Sequence, residues 1–288
     1  MNLETIQKQI QQSLNEKICE YKKIDSLSAE AIAYALSARG KLVRSTYCAL
    51  VSSALKSDFI SNNTCTSLEY IHLYSLIHDD LPCMDDDTMR RGQPTAHIKF
   101  GEAQALLAGD GLLTDAFRLI TQDSELSEIA KIKIIDSLAA AAGSKGMVLG
   151  QSLDLEVSNQ SSRELSLDLL NEIHRKKTGA LFAAACKCGV YAAEGTEDDA
   201  MIGENFGYEI GLAFQVIDDV IDVLPGTGKS AGKDLQSNKL TYLRHYDRKE
   251  ALELANKMTD SALAKIRNSN LYSKELENLT LALCERKK

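Results

Sequence analysis

The 288-residue sequence contains no tryptophan and only three prolines, and aromatic residues make up 6% of it. This mixture excludes a collagen-like chain and disfavours a β-sandwich. No stretch reaches the ~18 consecutive apolar residues that a membrane-spanning helix needs. The start, MNLETIQKQIQQSLNEK, also lacks the apolar stretch of a signal peptide. We therefore expect a cytoplasmic protein that is not inserted in a membrane.

The charge balance is acidic, because 41 acidic residues outnumber 33 basic ones and give a formal net charge of -8. Nucleic acid and anionic membrane surfaces are not expected as partners, since most of the molecule would repel them. The seven cysteines are scattered along the chain and do not form a dense framework. Their distribution favours reduced thiols, which agrees with a cytoplasmic location.

Apolar residues recur at helical spacing along most of the chain, as in the series Ile129, Ile132, Ile135 and Leu138. Sustained alternation of apolar and polar residues, which is typical of strands, is absent. No linker rich in Pro, Gly or Ser is long enough to separate two cores. The sequence therefore predicts an all-α fold in which residues 1–288 form one domain, a single large helical bundle.

Aspartates concentrate in two short segments, DDLPCMD and DDVID. Their members are Asp79, Asp80, Asp85, Asp218, Asp219 and Asp222. On an ideal helix Asp218 and Asp222 differ by about 40° and share a face. Asp79 and Asp85 converge only if the helix is interrupted between them, and Pro82 is placed to interrupt it. An isolated aspartate pair is more often a solvated helix face, so the surroundings decide the interpretation.

Small and polar residues precede the second segment at helical spacing, namely Gly207, Gly211 and Gln215. Apolar residues border this stripe: Phe206, Ile210, Phe214, Ile217 and Ile221. Such a stripe predicts a partly buried site, where carboxylates need cations. Because these oxygen ligands are not accompanied by a set of His and Cys ligands, we expect Mg²⁺, with several ions in the site.

Basic residues alternate with the aspartate segments along the chain. They are Lys41, Arg44, Arg90, Arg91, His174, Lys177, Lys229, Lys233 and Lys239. Each one alone is most often a surface residue. Together with Mg²⁺-binding carboxylates, however, lysines and arginines suit a diphosphate. The sequence thus predicts that an acidic protein holds an anionic substrate locally.

Other interpretations of the same segments fail on spacing. PGTGKSAGKD contains GKS, but a nucleotide-binding loop would need glycine where Val223 stands. An EF-hand loop starting at Asp85 would need glycine where Arg90 stands. Cys186 and Cys188 lack zinc-site spacing and are expected to be small buried residues of an alanine-rich helix.

The sequence resembles the trans-isoprenyl diphosphate synthase family, most closely its bacterial-type farnesyl diphosphate synthases, over nearly the whole chain. The matching segments follow the family's order: GKLVR, IHLYSLIHDDLPCMDDDTMRRGQPTAH, GMVLGQSLDL, HRKKTGALF, GLAFQVIDDVIDV and GKSAGKD. The resemblance implies an all-α bundle around a deep central cavity, usually as a homodimer. It also implies a prenyltransferase that condenses isopentenyl diphosphate with dimethylallyl or geranyl diphosphate to form farnesyl diphosphate.

The resemblance further implies roles for individual residues. The six aspartates would bind Mg²⁺. The catalytic residues would be Arg90, Lys177, Thr178 and Gln215. The substrate-binding residues would be Lys41, Arg44, His72, Arg91, Gln151, Lys229, Lys233 and Lys239, of which Lys41, Arg44, His72 and Arg91 would hold isopentenyl diphosphate. The loop after Asp222 is short, so whether Lys229 or Lys233 reaches the diphosphate stays open. Tyr74 would be the floor that limits product length.

Three residues near Lys41 depart from the usual pattern of the family. The family usually has GGKRLRP where this chain has RGKLVRS, so Arg39, Leu42 and Ser45 are substituted.

Within the enzyme class, the alternative product is C20 geranylgeranyl diphosphate. A non-catalytic subunit of a heteromeric synthase is the alternative from another class, but such subunits typically lose an aspartate segment, and here both segments are intact.

Overall fold

The structure is a computed structural model, and it describes residues 2–38, 40–159, 166–222 and 241–284. The first half contains α1 (Leu3–Tyr21), α2 (Leu27–Ser37), α3 (Val43–Leu55), α4 (Asn62–Asp79), β1 (Met89–Arg90), β2 (Gln93–Pro94), α5 (Ala96–Phe100), α6 (Glu102–Thr121) and α7 (Glu128–Ala142). The second half contains α8 (Met147–Asn159), α9 (Leu167–His174), a π-helical turn (Arg175–Gly179), α10 (Ala180–Ala192), α11 (Glu197–Asp222), a 3-10 turn (Tyr242–Arg244), α12 (Arg248–Arg267) and α13 (Lys274–Cys284). The predicted all-α fold class is confirmed.

The main core is built around α10, which is buried on nearly all sides as a central helix must be. Tyr47 of α3 packs edge-on against Phe182 of α10 and Phe206 of α11, with ring centroids 6.0 and 5.9 Å apart. Cys186 and Cys188 of α10 are fully buried, as expected from the sequence. A smaller apolar cluster joins α9, α11 and α12 to the 3-10 turn.

Helix α4 carries the first aspartate segment to its C-terminal end. Ser61 caps the N-terminus of the helix, because its hydroxyl accepts the backbone N–H of Thr64 at 3.1 Å. It ends at Asp79, three residues before Pro82, so the predicted interruption is confirmed. The backbone N–H of Asp85 then donates to the carbonyl of Asp79 at 2.8 Å. This hydrogen bond closes a loop that begins at Asp79 and ends at Asp85, so the two aspartates lie close together although they are six residues apart in sequence.

A two-stranded antiparallel hairpin, β1–β2, follows this loop, and the sequence did not predict it. Its two-residue turn is Arg91-Gly92, with φ of 52° and 77°. Positive φ at both central residues is the requirement of a type I′ hairpin turn. Strands of two residues are too short to produce a visible alternation in the sequence, which is why this element was missed.

Two sequence interpretations need correction. A Cβ on Gly207 would lie 2.5 Å from the carbonyl oxygen of Phe182, and one on Gly211 would lie 2.7 Å from Cα of Gly179. These glycines therefore let α11 approach the neighbouring helix closely, and they do not line a site. In α7, Ile129 and Ile132 are 68% and 67% exposed, so this part of the apolar series does not enter the core.

No helix among the described residues is both long and apolar enough to cross a lipid bilayer.

Candidate active site

Asp80 and Arg90 form a two-pronged ion pair between the end of α4 and strand β1. The Arg90 Nε donates to both carboxylate oxygens at 2.8 and 2.9 Å, and Nη2 donates to Oδ1 at 2.6 Å. Burial raises the pKa of Asp80, while the hydrogen bonds from Arg90 lower it. The guanidinium of Arg90 is thereby fixed beside the first aspartate segment.

Arg91 reaches the loop before α3. Its Nη1 donates to the carbonyl of Ala38 at 3.0 Å. A Cβ on Gly40 would lie 2.9 Å from the same nitrogen, so the guanidinium packs directly on a residue without a side chain. Arg91, Gly40, Glu69 and His72 line one small cavity of about 20 Å³. Lys41 and Gly40 also line a larger open cleft of about 520 Å³ beside it.

His72 is surrounded by positive charge. Burial holds its pKa well below the usual value, and Arg44, Arg91 and Arg90 lower the pKa further. A neutral imidazole can accept a hydrogen bond on one ring nitrogen and donate from the other. His72 therefore adds a neutral hydrogen-bonding group to a cluster of guanidinium groups.

Arg44 is a partly buried cation that is influenced by carboxylates of two helices. Its Cζ lies 4.7 Å from the ring centroid of Phe182. Burial lowers the pKa of Arg44 to about 10, while the charges of Glu69 on α4 and Asp218 on α11 act to raise it. Its Nε has no hydrogen-bond partner among the described residues. Arg44 is thus influenced by charges on both aspartate-bearing helices, and its Nε can still donate a hydrogen bond to a ligand.

Glu69 is positioned by Ser45, one of the residues that depart from the family pattern. The Ser45 hydroxyl donates to Glu69 Oε1 at 2.6 Å, and its backbone N–H reaches the same oxygen at 3.4 Å. A proline at position 45 has neither donor. The substitution therefore holds a carboxylate near Arg44 and Arg91.

Lys177 lies in the π-helical turn between α9 and α10. Its Nζ donates to Asp154 Oδ2 of α8 at 2.7 Å. Helix α8 reaches this turn closely because a Cβ on Gly150 would lie 2.2 Å from the backbone nitrogen of Lys177. Single π-helical turns inside helices are frequent at functional sites. The turn and the glycine together direct the ammonium of Lys177 towards the acidic residue of α8.

Thr178, Gln215 and Asp219 form a hydrogen-bonded chain. The Thr178 hydroxyl donates to Gln215 Oε1 at 3.0 Å, and Gln215 Nε2 donates to Asp219 Oδ1 at 3.0 Å. The second oxygen of Asp219 accepts the backbone N–H of Tyr242 at 2.8 Å. Two residues predicted to be catalytic are therefore in direct contact, and both depend on one buried carboxylate.

His174 lies beside this chain and stacks on Tyr242, with ring centroids 5.4 Å apart. Neither of its ring nitrogens has a hydrogen-bond partner among the described residues. Burial lowers the pKa of His174 to about 4, so the ring is neutral at physiological pH. The phenol of Tyr242 donates to Asn171 at 2.7 Å, which holds the stacked pair against α9.

Two further predicted residues are placed as follows. Both polar atoms of the Gln151 amide are buried and lack a hydrogen-bond partner among the described residues. Tyr74 is buried and packs edge-on against His78 at 5.7 Å between ring centroids. Burial and the charge of Asp79 raise its pKa to about 12. Its role in product length stays a prediction, as does the deep central cavity.

Six of the predicted residues, on α3, α4, the hairpin turn, the π-helical turn and α11, thus fall into two groups. One group surrounds Arg44, His72 and Arg91, and the other surrounds Lys177, Thr178 and Gln215. Lys229, Lys233 and Lys239 lie outside the described residues, so the structure does not place them.

The carboxylate donors fit Mg²⁺ by their chemistry, because they supply hard oxygen ligands. Within the described ranges, no three His, Cys, Asp or Glu side chains are assembled to hold a metal ion by themselves. This arrangement is compatible with Mg²⁺, which is usually bound by one or two carboxylates together with substrate phosphates and water.

Sequence reasoning missed Asp154, Glu69 and Tyr242. Asp154 lies in the quoted segment GMVLGQSLDL, and Glu69 lies three residues before His72, so both had a local signal. Their partners, Lys177 and Ser45, are distant in sequence, and that pairing has no signature in a single sequence. Tyr242 contacts Asp219 through its backbone N–H, so the type of residue at position 242 does not indicate this contact.

Comparison with known proteins agrees with this geometry. The chain is 38% identical over 300 residues to the farnesyl diphosphate synthase of Escherichia coli, covering 99% of this chain and 98% of that protein. It is 40% identical over 237 residues to geranylgeranyl pyrophosphate synthase 7 of Arabidopsis thaliana, a chloroplastic protein, covering 81% and 68%. The crystal structure of an FPP/GFPP synthase from Zymomonas mobilis superimposes with a TM-score of 0.83 at 29% identity, covering 98% and 97%. Residues 25–277 match the polyprenyl synthetase family, and the chain belongs to that family.

Proposed function

We propose that this protein is a farnesyl diphosphate synthase, a prenyltransferase that condenses isopentenyl diphosphate with an allylic diphosphate. The observation that carries the proposal is the position of Arg44, which feels the charges of Glu69 on α4 and of Asp218 on α11. Charges from both aspartate-bearing helices therefore act on one partly buried cation. Such a site suits two diphosphates bound side by side, one held by guanidinium groups and one held at the aspartates.

The first diphosphate site is the cluster of Lys41, Arg44, His72 and Arg91, which we assign to isopentenyl diphosphate. It contains positive charge and a neutral imidazole, and two of its members, Lys41 and Arg44, stand apart from the aspartate segments in sequence. Isopentenyl diphosphate keeps its diphosphate during the reaction. Its site therefore has to bind this group but does not have to promote cleavage of the C–O bond. The cluster supplies such binding through charged hydrogen bonds.

The second diphosphate site lies between the two aspartate segments, with Arg90 and Lys177 beside them, and we assign it to the allylic substrate. We also assign Lys239, and either Lys229 or Lys233, to binding of the allylic diphosphate. In the reaction, the allylic C–O bond breaks and its electron pair leaves with the diphosphate. The double bond of isopentenyl diphosphate attacks the allylic carbon, a C–C bond forms, and the released diphosphate takes the proton that is lost.

Several residues act on the organic part of the substrate. Thr178 and Gln215 present dipoles to the developing allylic cation, and Gln151 offers an unsatisfied buried amide to the bound substrate.

Mg²⁺, when bound by aspartates of both segments together with the diphosphate, supplies positive charge that favours departure of the leaving group. Arg90 and Lys177 add fixed positive charge to the same group.

The deciding experiment incubates purified protein with Mg²⁺, labelled isopentenyl diphosphate and each allylic primer in turn, followed by product sizing by chromatography. A C15 product from dimethylallyl and from geranyl diphosphate is expected. A C20 product would favour the geranylgeranyl alternative. The similarity to the Arabidopsis geranylgeranyl pyrophosphate synthase is the reason for testing this alternative. Absence of any product would favour the non-catalytic subunit, which both intact aspartate segments disfavour.

We also propose that the chain is one catalytic domain that works in the cytoplasm as a homodimer. Helices α6 and α7 expose apolar side chains that a second copy can cover, namely Leu106, Leu107, Ile129 and Ile132. Ile129→Glu combined with Ile132→Glu should convert the dimer to a monomer in light scattering. The matched control Lys145→Glu, beyond the C-terminal end of α7, should stay dimeric. A wild-type monomer would contradict this assignment.

A further inference from the structure

Asp219 occupies a different environment from the other two aspartates of its segment. It is 7% exposed, and each of its carboxylate oxygens already accepts a hydrogen bond from the protein. One hydrogen bond comes from the Gln215 amide, and the other comes from the backbone N–H of Tyr242. On an ideal helix Asp219 is rotated about 100° from Asp218, whereas Asp222 is rotated only about 40°. Asp219 therefore lies off the face that Asp218 and Asp222 share.

The chemistry of the carboxylate determines how the Gln215 amide is oriented. A carboxylate can only accept hydrogen bonds, so the NH₂ end of the amide must face Asp219. The carbonyl end of Gln215 must then face Thr178. Since a carbonyl oxygen can only accept, the Thr178 hydroxyl has to donate its proton to Gln215. The direction of every bond in the chain thus follows from the charge at Asp219.

This direction matters at Thr178. When the hydroxyl proton is committed to Gln215, the lone pairs of Thr178 Oγ1 remain for another partner. A lone pair favours a positive charge nearby, whereas an outward-pointing O–H proton disfavours it. We propose that Asp219 is a positioning residue that directs the negative end of the Thr178 hydroxyl dipole at the allylic cation, and that it does not serve as a metal ligand. This inference rests on the proposed function, in which Thr178 faces that cation.

The variant Asp219→Asn tests the direction of the chain with minimal change in shape. The introduced asparagine keeps its oxygen for the Tyr242 N–H and turns its NH₂ group towards Gln215. The Gln215 amide must then reverse, and Thr178 becomes an acceptor whose proton points elsewhere. The rate constant kcat for condensation should fall about 100-fold, the loss typical of removing one oriented dipole from a transition state. The Mg²⁺ concentration for half-maximal activity should not change.

The reciprocal variant Asp219→Asn/Gln215→Glu should restore the original direction. The introduced asparagine donates to the introduced glutamate, whose carboxylate accepts from Thr178, so the total charge equals that of the wild type. We expect kcat to return to within about tenfold of the wild-type value. Gln215→Glu alone is the matched control. It places two carboxylates where the wild type has a 3.0 Å hydrogen bond, and it should stay impaired.

Binding of a cation analogue gives a readout that does not depend on turnover. Calorimetry with the ammonium analogue of the geranyl cation, inorganic diphosphate and Mg²⁺ should show weaker binding to Asp219→Asn and recovery in the reciprocal variant. In a Thr178→Val background, Asp219→Asn should cause little further loss, because the group it orients is gone. If Asp219→Asn does not fold, the comparison of Gln215→Glu with the reciprocal variant carries the test.

The outcomes separate the two proposals. A wild-type enzyme that makes no prenyl product overturns the proposed function and this inference together. A productive wild type with a fully active Asp219→Asn variant overturns the inference alone. The inference also fails if Asp219→Asn raises the half-saturating Mg²⁺ concentration and the reciprocal variant does not rescue it, since that pattern belongs to a metal ligand.

Discussion

Lys177 and Asp154 lie 23 residues apart in sequence, yet the ammonium of Lys177 donates to the Asp154 carboxylate at 2.7 Å. Both side chains are largely buried, with 25% and 14% of their surfaces exposed. A partly buried ion pair fixes the direction of a long lysine side chain more firmly than an exposed pair does. Asp154 therefore sets the place from which Lys177 can approach a diphosphate.

The variant Asp154→Asn should lower kcat/KM for the allylic substrate about tenfold, equivalent to ~1.4 kcal/mol, because Lys177 loses its charged anchor. Steady-state kinetics at varied allylic substrate concentration measures the effect. Glu156→Gln, on an exposed position of the same helix, is the matched control and should behave as the wild type. Unchanged or improved kinetics in Asp154→Asn would contradict the anchoring role.

Asp79→Ala and Asp218→Ala should each lower turnover by roughly a thousandfold or more, a loss of at least ~4 kcal/mol of transition-state stabilisation. The physical reason is that, in the proposed function, each carboxylate helps to hold the Mg²⁺ that neutralises the leaving group. Removal of the metal with a chelator should stop the wild-type reaction, and added Mg²⁺ should restore it. Asp136→Ala, an exposed aspartate of α7, is the control. Near-normal turnover of either site variant at saturating Mg²⁺ would refute the assignment.

Arg44→Gln should raise the KM for isopentenyl diphosphate roughly 10- to 100-fold and leave the KM for the allylic substrate nearly unchanged, since one charged hydrogen bond contributes about 1.5–3 kcal/mol. Arg44 also packs over Phe182, so the melting temperature should be measured alongside the kinetics. The exposed Arg118→Gln of α6 controls for loss of charge. A selective rise in the allylic KM would mean that the two diphosphate sites are exchanged.

The environment of His72 predicts sensitivity to acid. Its pKa is lowered in the folded state by burial and by three arginines, whereas an unfolded histidine has a pKa near ~6.5. Below that pH the unfolded chain binds a proton that the folded chain does not, so the free energy of unfolding decreases as the pH falls. The slope is at most about 1.4 kcal/mol per pH unit for one group.

Chemical denaturation at pH 7 and pH 5 tests this expectation. The variant His72→Gln should lose less stability than the wild type over this interval, and the exposed His245→Gln should lose as much as the wild type. Parallel losses in the wild type and His72→Gln would exclude a contribution from His72.

Tyr74→Ala should shift the product from C15 towards C20 and longer chains. Tyr74 lies five residues before Asp79, or roughly 7.5 Å along α4, and its ring is buried. The resemblance to farnesyl diphosphate synthases implies that this ring is the floor on which a growing chain stops. Truncation should also cost about 3–5 kcal/mol of stability. Tyr70→Ala, one turn earlier and equally buried, should lose similar stability without changing product length. A folded Tyr74→Ala enzyme that still makes only C15 would exclude the floor role.

Local chemistry explains what was predictable from the sequence and what was not. The break of α4 before Pro82 depends on one residue type, and the shared face of Asp218 and Asp222 depends on helical geometry alone, so both could be anticipated. The role of Gly211 could not, because a glycine beside a site and a glycine beside a packed helix look alike in sequence. The contact of Ser45 with Glu69 requires two helices to pack first, and no single-sequence pattern encodes it.

The hairpin turn at Arg91-Gly92 has a consequence for substrate geometry. Arg90 pairs with Asp80, whereas Arg91 reaches the carbonyl of Ala38. Their Cα atoms are separated by a single peptide unit, about 3.8 Å. In the proposed function, the anchors of the two diphosphates therefore belong to adjacent residues of one hairpin. A change in the backbone of this hairpin alters both anchors together.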